Sequence, residues 1–384
     1  MRNLPENMYA VKGNNFAALD LPEVKEISNK DWVFFGKKNL YPVQLVDLYN
    51  SSAMHRTAID AKVAAITGEG FKFYGNTLVN SKGETLDQVF DKCADDHQIF
   101  GAYALNVIWN RGGDRIAEIY HIPANKIRSG KLDEEDNINE YYYSSDWANT
   151  RKYKPVTYRA FDMSDNKGDN ASQILYVKGY NPETDYYGLP SYVAALNDIE
   201  LDARISRFHN ANISNGLAPS LAINFRNGIP TEDEKQIIYR EIEDTFSGEN
   251  NAGRFFLLFS EPGKEAQITP IESANDDYYT TLEERVTSRI LTAHRITSPL
   301  LLGIRDGGGL GSNKDEILTA YAHFFSTVCE PIQKNLVKQF QTVTTLMGYE
   351  MPLEIEQSTI DFDMTIDGTV DGQETEDEIN IQAQ

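Results

Sequence analysis

The stretch from Asp277 to Phe340 constrains the fold most, because it places a glycine-rich loop between two helices. Apolar side chains of the first arm recur at intervals of three and four residues, which is the helical period: Tyr279, Leu282, Val286 and Ile290. Pro299 biases Ser298 away from helical geometry and ends this helix. The glycines between 307 and 311 make an ordered element there costly in entropy. The sequence therefore predicts a helix, a flexible loop and a second helix.

The second helix is predicted to begin at Lys314 and to keep apolar side chains at helical spacing as far as Val343. Pro331 lies inside this pattern. Because proline removes one helical donor and clashes with the preceding turn, we expect a kink near Thr327 to Glu330.

The loop sequence GIRDGGGLGSNK differs in spacing from the known phosphate-binding loops. A P-loop requires Gly, four residues and then Gly-Lys-Ser/Thr, whereas Lys314 follows Asn313 and precedes Asp315. The dinucleotide motif follows a strand, and this loop follows a helix. A flexible loop is the favoured interpretation. A nucleotide-dependent enzyme that uses residues 307–311 is the alternative hypothesis.

The rest of the sequence contains no pattern of catalytic or metal-ligating residues. No pair among the histidines has ligand spacing with a carboxylate partner, and Cys93 and Cys329 lack zinc-ligand spacing. No G-x-S-x-G elbow is present. We therefore expect no enzyme activity, no metal and no cofactor.

The part of the chain before the opening stretch is predicted to contain helices first and then a sheet. Residues 1–30 lack a clear period and are predicted to form an extended arm. Helices are predicted within Tyr41–Ile66, with a break at Ser51–Ser52, and over Leu86–Phe100. The segments AYALNVIWN, RIAEIYHIP, EYYYSSDW, PVTYRAFD and SQILYVKGY predict an antiparallel sheet, with Gly112–Gly113 as a hairpin turn.

A long helix and a compact insert are predicted between this sheet and the opening stretch. The helix runs from Ser191 to the Asn215-Gly216 pair, a favoured helix stop. The insert is predicted to contain a strand (SLAINF), a helix, a second strand (RFFLLF) and a third strand (QITPI). Thr231 and Glu234 have capping-box spacing at the start of the helix of the insert.

The net charge is −22, from 36 Lys and Arg against 58 Asp and Glu. A chain that binds nucleic acid through phosphates normally has a basic patch or a high pI. This charge therefore indicates either that nucleic acid is irrelevant or that the protein must avoid holding DNA tightly. The absence of an eighteen-residue apolar run and of a signal-like apolar region predicts no membrane association and a cytoplasmic setting.

The order of these elements resembles the portal proteins of tailed bacteriophages, the head-to-tail connectors. Local sequence agrees with that family near the start (YPVQLVDLYNSSAMHRTAIDAKVAAITGEGF), before the first long helix (YYGLPSYVAALNDIE) and after the second (ILTAHRITSPLLLGI, then SNKDE). The resemblance covers roughly residues 30 to 345. It implies an α+β, portal-type fold with a wing, a two-helix stem, a small α/β clip, a tunnel loop and a long kinked helix.

On this resemblance the chain divides into the parts of a portal subunit. These are an N-terminal arm (1–30), a wing of helices and antiparallel sheet (31–189), a first stem helix (190–216), a clip (217–275), a second stem helix (276–296), a tunnel loop (297–313), a long kinked wing or crown helix (314–347), and a reduced crown with an acidic tail (348–384).

The resemblance also implies three functional surfaces. The DNA channel and tunnel loop would contain Arg295, Leu301, Arg305, Asp306, Gly307, Gly308, Gly309, Leu310 and Lys314. The stem would contain Arg204, Arg285 and Arg289. The clip, which would dock terminase and the tail adaptor, would contain Asn224, Arg226, Asn227, Glu243 and Arg254.

Membership of that family would imply a ring, usually of twelve subunits, at one capsid vertex of the virion, assembled in the host cytoplasm. Its partners would be transiently bound double-stranded DNA, the terminase large subunit, a head-to-tail adaptor, and the major capsid protein or scaffold. An acidic channel wall would repel phosphates and let DNA slide. A capsid-associated adaptor without a channel is a further alternative.

Overall fold

The computed structural model describes residues 21–164, 171–214, 221–225, 231, 234, 236–237, 255–259, 267–270, 276–304 and 314–357. The fold is α+β. The helices are α1 (Tyr41–Ser51), α2 (Ala53–Thr67), α3 (Leu86–Phe100), α4 (Leu196–Ser214), α5 (Asp276–Ala293), α6 (Lys314–Phe324) and α7 (Glu330–Met347). None of the helices in the described ranges is long and apolar enough to cross a bilayer.

The strands form three separate sheets. They are β1 (Val24–Glu26), β2 (Val33–Phe35), β3 (Ala102–Trp109), β4 (Ile116–Ile122), β5 (Ile127–Ser129), β6 (Glu140–Tyr143), β7 (Val156–Ala160), β8 (Ser172–Lys178), β9 (Leu221–Phe225), β10 (Phe255–Phe259) and β11 (Gln267–Pro270). Strands β1 and β2 pair with each other, and β1 falls inside the arm predicted for residues 1–30. Residues 1–20 of that arm lie outside the described ranges.

The first three helices begin and end where local sequence chemistry dictates. The Ser52 hydroxyl accepts the His55 amide at 3.1 Å and starts α2, which confirms the predicted break at Ser51–Ser52. Helix α3 starts with a capping box between Thr85 and Gln88 and ends at Gly101, a left-handed position with φ +73°. The predicted helix over Leu86–Phe100 is thus confirmed.

The largest sheet has the order β4-β3-β8-β7-β6-β5. The predicted hairpin at Gly112–Gly113 joins β3 and β4, and Gly113 is left-handed with φ +70°. The prediction of a purely antiparallel sheet is wrong for one pair, because β7 and β8 are parallel. Strands β7 and β8 pair over a short stretch, in which Arg159 lies opposite Gln173 and Ala160 opposite Ile174.

The main core lies between this sheet and helices α2, α3 and α7. Phe90 of α3 meets Phe340 of α7 edge-to-face at a centroid distance of 5.0 Å, and Tyr103 of β3 lies against the same Phe340 ring. Aromatic pairs of this geometry add roughly 0.5–1.5 kcal/mol to the stability that burial alone provides. Helix α7 is thereby joined to the sheet in one core.

Helices α4 and α5 pack antiparallel against each other. Asp198 near the start of α4 meets Arg289 near the end of α5, and Phe208 near the end of α4 lies 5.2 Å from Tyr279 near the start of α5. The first helix was predicted from Ser191, but residues 193–195 form a 3-10 turn. The buried hydroxyl of Tyr192 donates to the Ile99 carbonyl at 2.7 Å, which holds this segment outside the helix.

Three predicted strands of the insert between α4 and α5 are confirmed. They form a sheet of order β10-β9-β11, in which β10 is parallel to β9 and β11 is antiparallel to it. Thr231 donates its amide to the Glu234 carboxylate at 2.9 Å, which is one half of the predicted capping box. Most of the helix predicted after Thr231 lies outside the described residues.

The interruption predicted near Thr327–Glu330 is a π-helical segment, Phe325–Cys329, between α6 and α7. Just before this segment the His323 carbonyl accepts hydrogen bonds from the hydroxyls of Ser326 (3.2 Å) and Thr327 (2.7 Å). Pro331 stands in the first turn of α7, where a missing amide proton is tolerated. Proline therefore changes the helix type locally without ending the helix.

Candidate functional site

The candidate site is the corner where α5 ends between α2 and the π-helical segment. We call it the joint and define it by His55 and Lys62 of α2, Ser191 and Tyr192 before α4, His294 and Arg295 after α5, and Thr327 of the π-helical segment. It connects the antiparallel helix pair to the main core.

Apolar packing between α4 and α5, which we call the apolar seam, positions the end of α5 at the joint. Ile199 on α4 packs in one core with Val286 and Ile290 on α5, and all three side chains are almost fully buried. Arg289 Nη1 lies 3.2 Å from Asp198 Oδ1 and ties the two helices together at the solvent side. An exposed ion pair of this kind contributes little to stability, about 0–1 kcal/mol, so the apolar seam dominates.

Arg295 ends α5 in an unusual backbone conformation. Its φ is +59°, the left-handed region that glycine normally fills at this position. The amide of Ile296 donates to the Leu291 carbonyl at 2.9 Å, as in a Schellman stop. A residue with a Cβ in this region costs roughly 1–2 kcal/mol, so the Arg295 side chain has to offset that cost.

The Arg295 side chain reaches the π-helical segment. Its Nη2 donates to the Thr327 carbonyl at 3.3 Å. In a regular α-helix the amide four residues later would serve this carbonyl, and that residue is Pro331, which has no N–H. Arg295 therefore supplies the donor that proline removes, and in doing so links the end of α5 to the α6–α7 helix.

Two buried histidines form the centre of the joint. His55 Nδ1 and His294 Nε2 are 2.9 Å apart, and both rings are fully buried against Tyr192. Among the described residues, no hydrogen-bond partner reaches the remaining buried ring nitrogens, His55 Nε2 and His294 Nδ1. Burial lowers the pKa of both rings, so the pair is neutral. Because one neutral ring donates and the other accepts, the pair keeps one unsatisfied donor and one unsatisfied acceptor.

Lys62 adds a buried cation beside this pair. Its side chain is 2% exposed, and its Nζ has a long contact of 3.4 Å with Ser191 Oγ. Burial lowers the pKa of Lys62 to about 8, with the Cys329 thiol opposing and Arg295 reinforcing this effect. Burial, followed by the charge of Lys62, lowers the pKa of His55 to about 3 and that of His294 to about 2. The joint disfavours any additional positive charge.

Sequence reasoning missed these polar residues, although a signal was present. His55, Ile59, Lys62 and Ile66 follow one another at intervals of four, three and four residues on one face of α2. Two polar side chains on an apolar helical face indicate a buried polar contact. Only the tertiary structure identifies His294, which lies 239 residues from His55 in sequence.

The predicted stem and channel residues occupy different environments. Arg204 is paired with Glu200 of its own helix, with Nε 3.1 Å from Oε1, and Arg289 bridges to α4. Arg285 is exposed on α5 and Leu301 is partly buried in the 3-10 turn Pro299–Leu302. Lys314 begins α6. Among these predicted residues, Arg295 is the one whose side chain the described structure bonds to the π-helical segment.

The remaining predicted residues are not placed together by the described structure. Asn224 lies in β9 opposite Leu258 and Gln267. The others lie outside the described residues: Arg226, Asn227, Glu243, Arg254, Arg305, Asp306, Gly307, Gly308, Gly309 and Leu310. Within the described ranges, no group of three or more His, Cys, Asp or Glu residues could hold a metal ion.

Comparison with known families decides which protein class this architecture belongs to. The sequence profile of the family described as Phage portal protein matches residues 88–363, well over half of the chain. The chain belongs to the phage portal protein family. The family resemblance found in the sequence is thereby confirmed.

Individual relatives cover the portal chain only in part. A protein described as a probable portal protein of Haemophilus phage HP1 (strain HP1c1) is 25% identical over 181 residues, 44% of this chain and 52% of that protein. An uncharacterized protein of Rickettsia bellii (strain RML369-C) is 25% identical over 252 residues, 65% of this chain and 58% of that protein. The portal chain thus spans little more than half the length of these relatives.

Solved structures share the fold over most of the portal chain. A chain from the virion of a native gene transfer agent particle has a TM-score of 0.53 and 18% identity, and covers 84% of each chain. A chain from the neck of a native gene transfer agent particle with C12 symmetry has a TM-score of 0.52 and 18% identity, covering 83% of this chain and 85% of that one. The α+β portal-type fold class is therefore confirmed.

Replacing Arg295 tests its two roles separately. In Arg295→Ala the left-handed strain remains and the bond to Thr327 is lost, whereas Arg295→Gly loses the bond but relieves the strain. We expect Arg295→Ala to unfold at a free energy about 1 kcal/mol lower than Arg295→Gly. Denaturant titration measures both values. The exposed Arg285→Ala is the matched control and should change stability by less than about 0.5 kcal/mol; equal stability of the two Arg295 variants would contradict the left-handed assignment.

The histidine pair predicts a pH dependence of stability. In the folded chain the pKa values of His55 and His294 lie below their ordinary value of 6.5. Below pH 6.5 these two side chains therefore bind protons in the unfolded chain but not in the folded chain. Stability contributed by the neutral pair is therefore complete above pH 6.5 and decreases as the pH falls, by up to about 1.4 kcal/mol per pH unit for the first histidine protonated.

The measurement compares denaturant midpoints at pH 7 and pH 5 for the wild type and a His55→Gln/His294→Gln variant. The wild type should lose more stability than this variant over that interval. His323→Gln, which removes an exposed histidine, should behave like the wild type. An identical loss in all three proteins would rule out the buried neutral pair.

Proposed function

We propose that this chain is the subunit of a portal ring that occupies one capsid vertex and conducts double-stranded DNA during packaging and ejection. The observation that carries the proposal is the family match over residues 88–363. The antiparallel α4–α5 pair followed by a helix with a π-helical interruption supports it, because a long helix pair anchored at one end suits the wall of a channel.

The proposed ring has twelve subunits. Support comes from the C12 symmetry given for the neck of the gene transfer agent particle, whose chain shares this fold. We assign residues 31–189 to a wing, α4 and α5 to a stem, residues 217–275 to a clip, 297–313 to a tunnel loop and 314–347 to the wing or crown helix. Residues 1–30 would form an N-terminal arm, and residues 348–384 a reduced crown with an acidic tail.

The charge of the chain suits a conduit that does not retain its cargo. Each subunit carries −22, so a ring wall repels phosphates and lets DNA slide. The cations proposed to contact DNA are few: Arg295, Arg305 and Lys314. The other residues proposed to line the channel and tunnel loop are Leu301, Asp306, Gly307, Gly308, Gly309 and Leu310. Since Arg295 already donates to Thr327, it would act at the channel chiefly by positioning the start of the loop.

The proposed partners follow from the ring. The clip, with Asn224, Arg226, Asn227, Glu243 and Arg254, would dock the terminase large subunit and later the head-to-tail adaptor. The wing would contact the major capsid protein or scaffold, and assembly would take place in the host cytoplasm. No catalytic step is assigned to the chain, and family membership favours the conduit over a nucleotide-dependent enzyme that uses residues 307–311.

Native mass spectrometry of the purified chain, with negative-stain images, tests the proposal. We expect a species close to twelve times the 43.4 kDa of one chain, with a central hole in projection. A protein that stays monomeric or dimeric, even with its scaffold present, would contradict the ring. Closed rings without a hole would favour the adaptor without a channel, and nucleotide binding abolished by Lys314→Ala would favour the enzyme.

A further inference from the structure

The wing carries a basic patch that stands out in so acidic a chain. It consists of Lys30, Lys37, Lys38, Lys126, Arg151, Lys152 and Lys154, which are exposed or partly exposed. Among the residues described, none of these seven forms an ion pair with a carboxylate, whereas other surface lysines and arginines do. Asp31 and Asp146 are the acidic residues interspersed with them in sequence. The patch therefore keeps a net positive charge.

A buried arginine fixes one part of this patch. Arg128 is fully buried and donates to Asn39 Oδ1 (2.6 Å) and the Asn39 carbonyl (2.8 Å), and also to the carbonyls of Asn125 and Ile127. These bonds hold the turn at Lys37–Asn39, where Lys38 and Asn39 are left-handed with φ +58° and +64°. The buried Arg128 thus stabilises a strained turn that exposes Lys37 and Lys38.

Trp147 holds the other parts of the patch against this turn. The guanidinium carbon of Arg128 lies 4.9 Å from the Trp147 ring, and Trp147 Nε1 donates to the Lys126 carbonyl at 2.9 Å. Ser144 Oγ donates to the Tyr153 carbonyl at 3.0 Å, which fixes the loop bearing Arg151, Lys152 and Lys154. Lys30 lies over Trp32, whose ring is 5.5 Å from Trp147.

Strands β5 and β6 form a hairpin whose base carries Lys126 and Ser144, and an acidic finger lies at its tip. The turn between β5 and β6 exposes Asp133, Glu134, Glu135 and Asp136 in succession, and the described structure gives none of them a cationic partner. The Asp133 carboxylate accepts the amides of Glu135 and Asn137, both at 2.9 Å, so the finger has a defined shape. These hydrogen bonds, that of Asn137 foremost, lower the pKa of Asp133.

Lys37, Lys38 and Lys126 of the patch cannot meet the finger within one chain. Lys126 precedes β5 and Ser144 follows β6, so this part of the patch is at the base of the β5–β6 hairpin and the finger is at its tip. Lys30 is nearer to the finger, because it lies over Trp32, which pairs with Gly130 midway along the hairpin. Glu134 is eight positions after Lys126, and extended chain of that length spans roughly 26 Å at 3.3 Å per residue. That distance far exceeds an ion-pair contact and the screening length of about 8 Å at physiological salt.

We propose that the acidic finger of one subunit docks on the basic patch of the next subunit. This inference rests on the proposed ring, because a ring is built from two different, complementary surfaces repeated head to tail. The contact counters the repulsion between subunits that each carry −22, and it fixes which face of one wing meets the next. The partner of both surfaces is thus a second copy of this chain.

Charge-reversal variants distinguish a specific finger–patch contact from a general effect of net charge on assembly. The patch variant is Lys37→Glu/Lys38→Glu, and the finger variant is Glu134→Lys/Glu135→Lys. Either change places like charges across the contact, so we expect the concentration needed for ring assembly to rise about tenfold or more. Mixed in equal amounts, the two variants should form rings again, because each presents the charge that the other requires.

Native mass spectrometry at low and high salt, with one variant ¹⁵N-labelled, measures the composition of these rings. The proposal expects equal numbers of both variants in the mixed rings, and weaker assembly of the wild type at high salt. The control variant Lys334→Glu/Lys338→Glu on α7 makes the same change in net charge as the patch variant, at exposed positions outside the patch. It should assemble like the wild type. Thermal unfolding monitored by circular dichroism verifies that each variant is folded.

The reference in every arm is the wild-type ring. A wild type that forms no ring would refute the proposed function itself. A wild-type ring that both variants also form at unchanged concentration, or variants that fail to assemble when mixed, would overturn the finger–patch contact alone. Intact rings of the patch variant that lose affinity for double-stranded DNA would reassign the patch to nucleic acid and would also overturn it.

Discussion

The carbonyl of Thr327 has lost its helical donor because Pro331 stands four residues later, and Arg295 supplies the replacement at 3.3 Å. This hydrogen bond joins two features that are each unfavourable alone: a non-glycine residue in the left-handed region and a helix with an unserved carbonyl. Together they set the position at which the second helix of the α4–α5 pair leaves the main core. The course of the chain after α5 depends on that corner.

Around this corner the protein buries polar groups that a minimal core would omit. His55 and His294 share one hydrogen bond, and within the described part of the chain their other two ring nitrogens are unpaired. Lys62 lies beside them with a long contact to Ser191. Burying such groups costs stability, so they specify one arrangement of α2, α5 and the π-helical segment more than they strengthen it. In the proposed ring, a unique corner would keep the helix pairs equivalent from one copy to the next.

Much of this fold could be predicted from local chemistry in the sequence. The helical periods of α5 and α7, the Gly112–Gly113 hairpin and the interruption caused by Pro331 all follow from side-chain spacing and from what glycine and proline permit. The joint could not be predicted in the same way. Arg295 does not resemble a helix stop, and the contact between His55 and His294 depends on how distant elements pack. The parallel pairing of β7 with β8 likewise depends on the path of the connecting chain.

In the ring proposed above, the joint, the helix pair and the acidic charge would together form a wall past which DNA moves without being held. The most direct test is a cryo-electron microscopy map of DNA-filled particles containing this chain at one vertex. The account predicts a closed ring with the α4–α5 pairs around its axis and DNA density passing between them. A ring in which these helix pairs point away from the axis, or an axis blocked by protein in the DNA-filled particle, would contradict it.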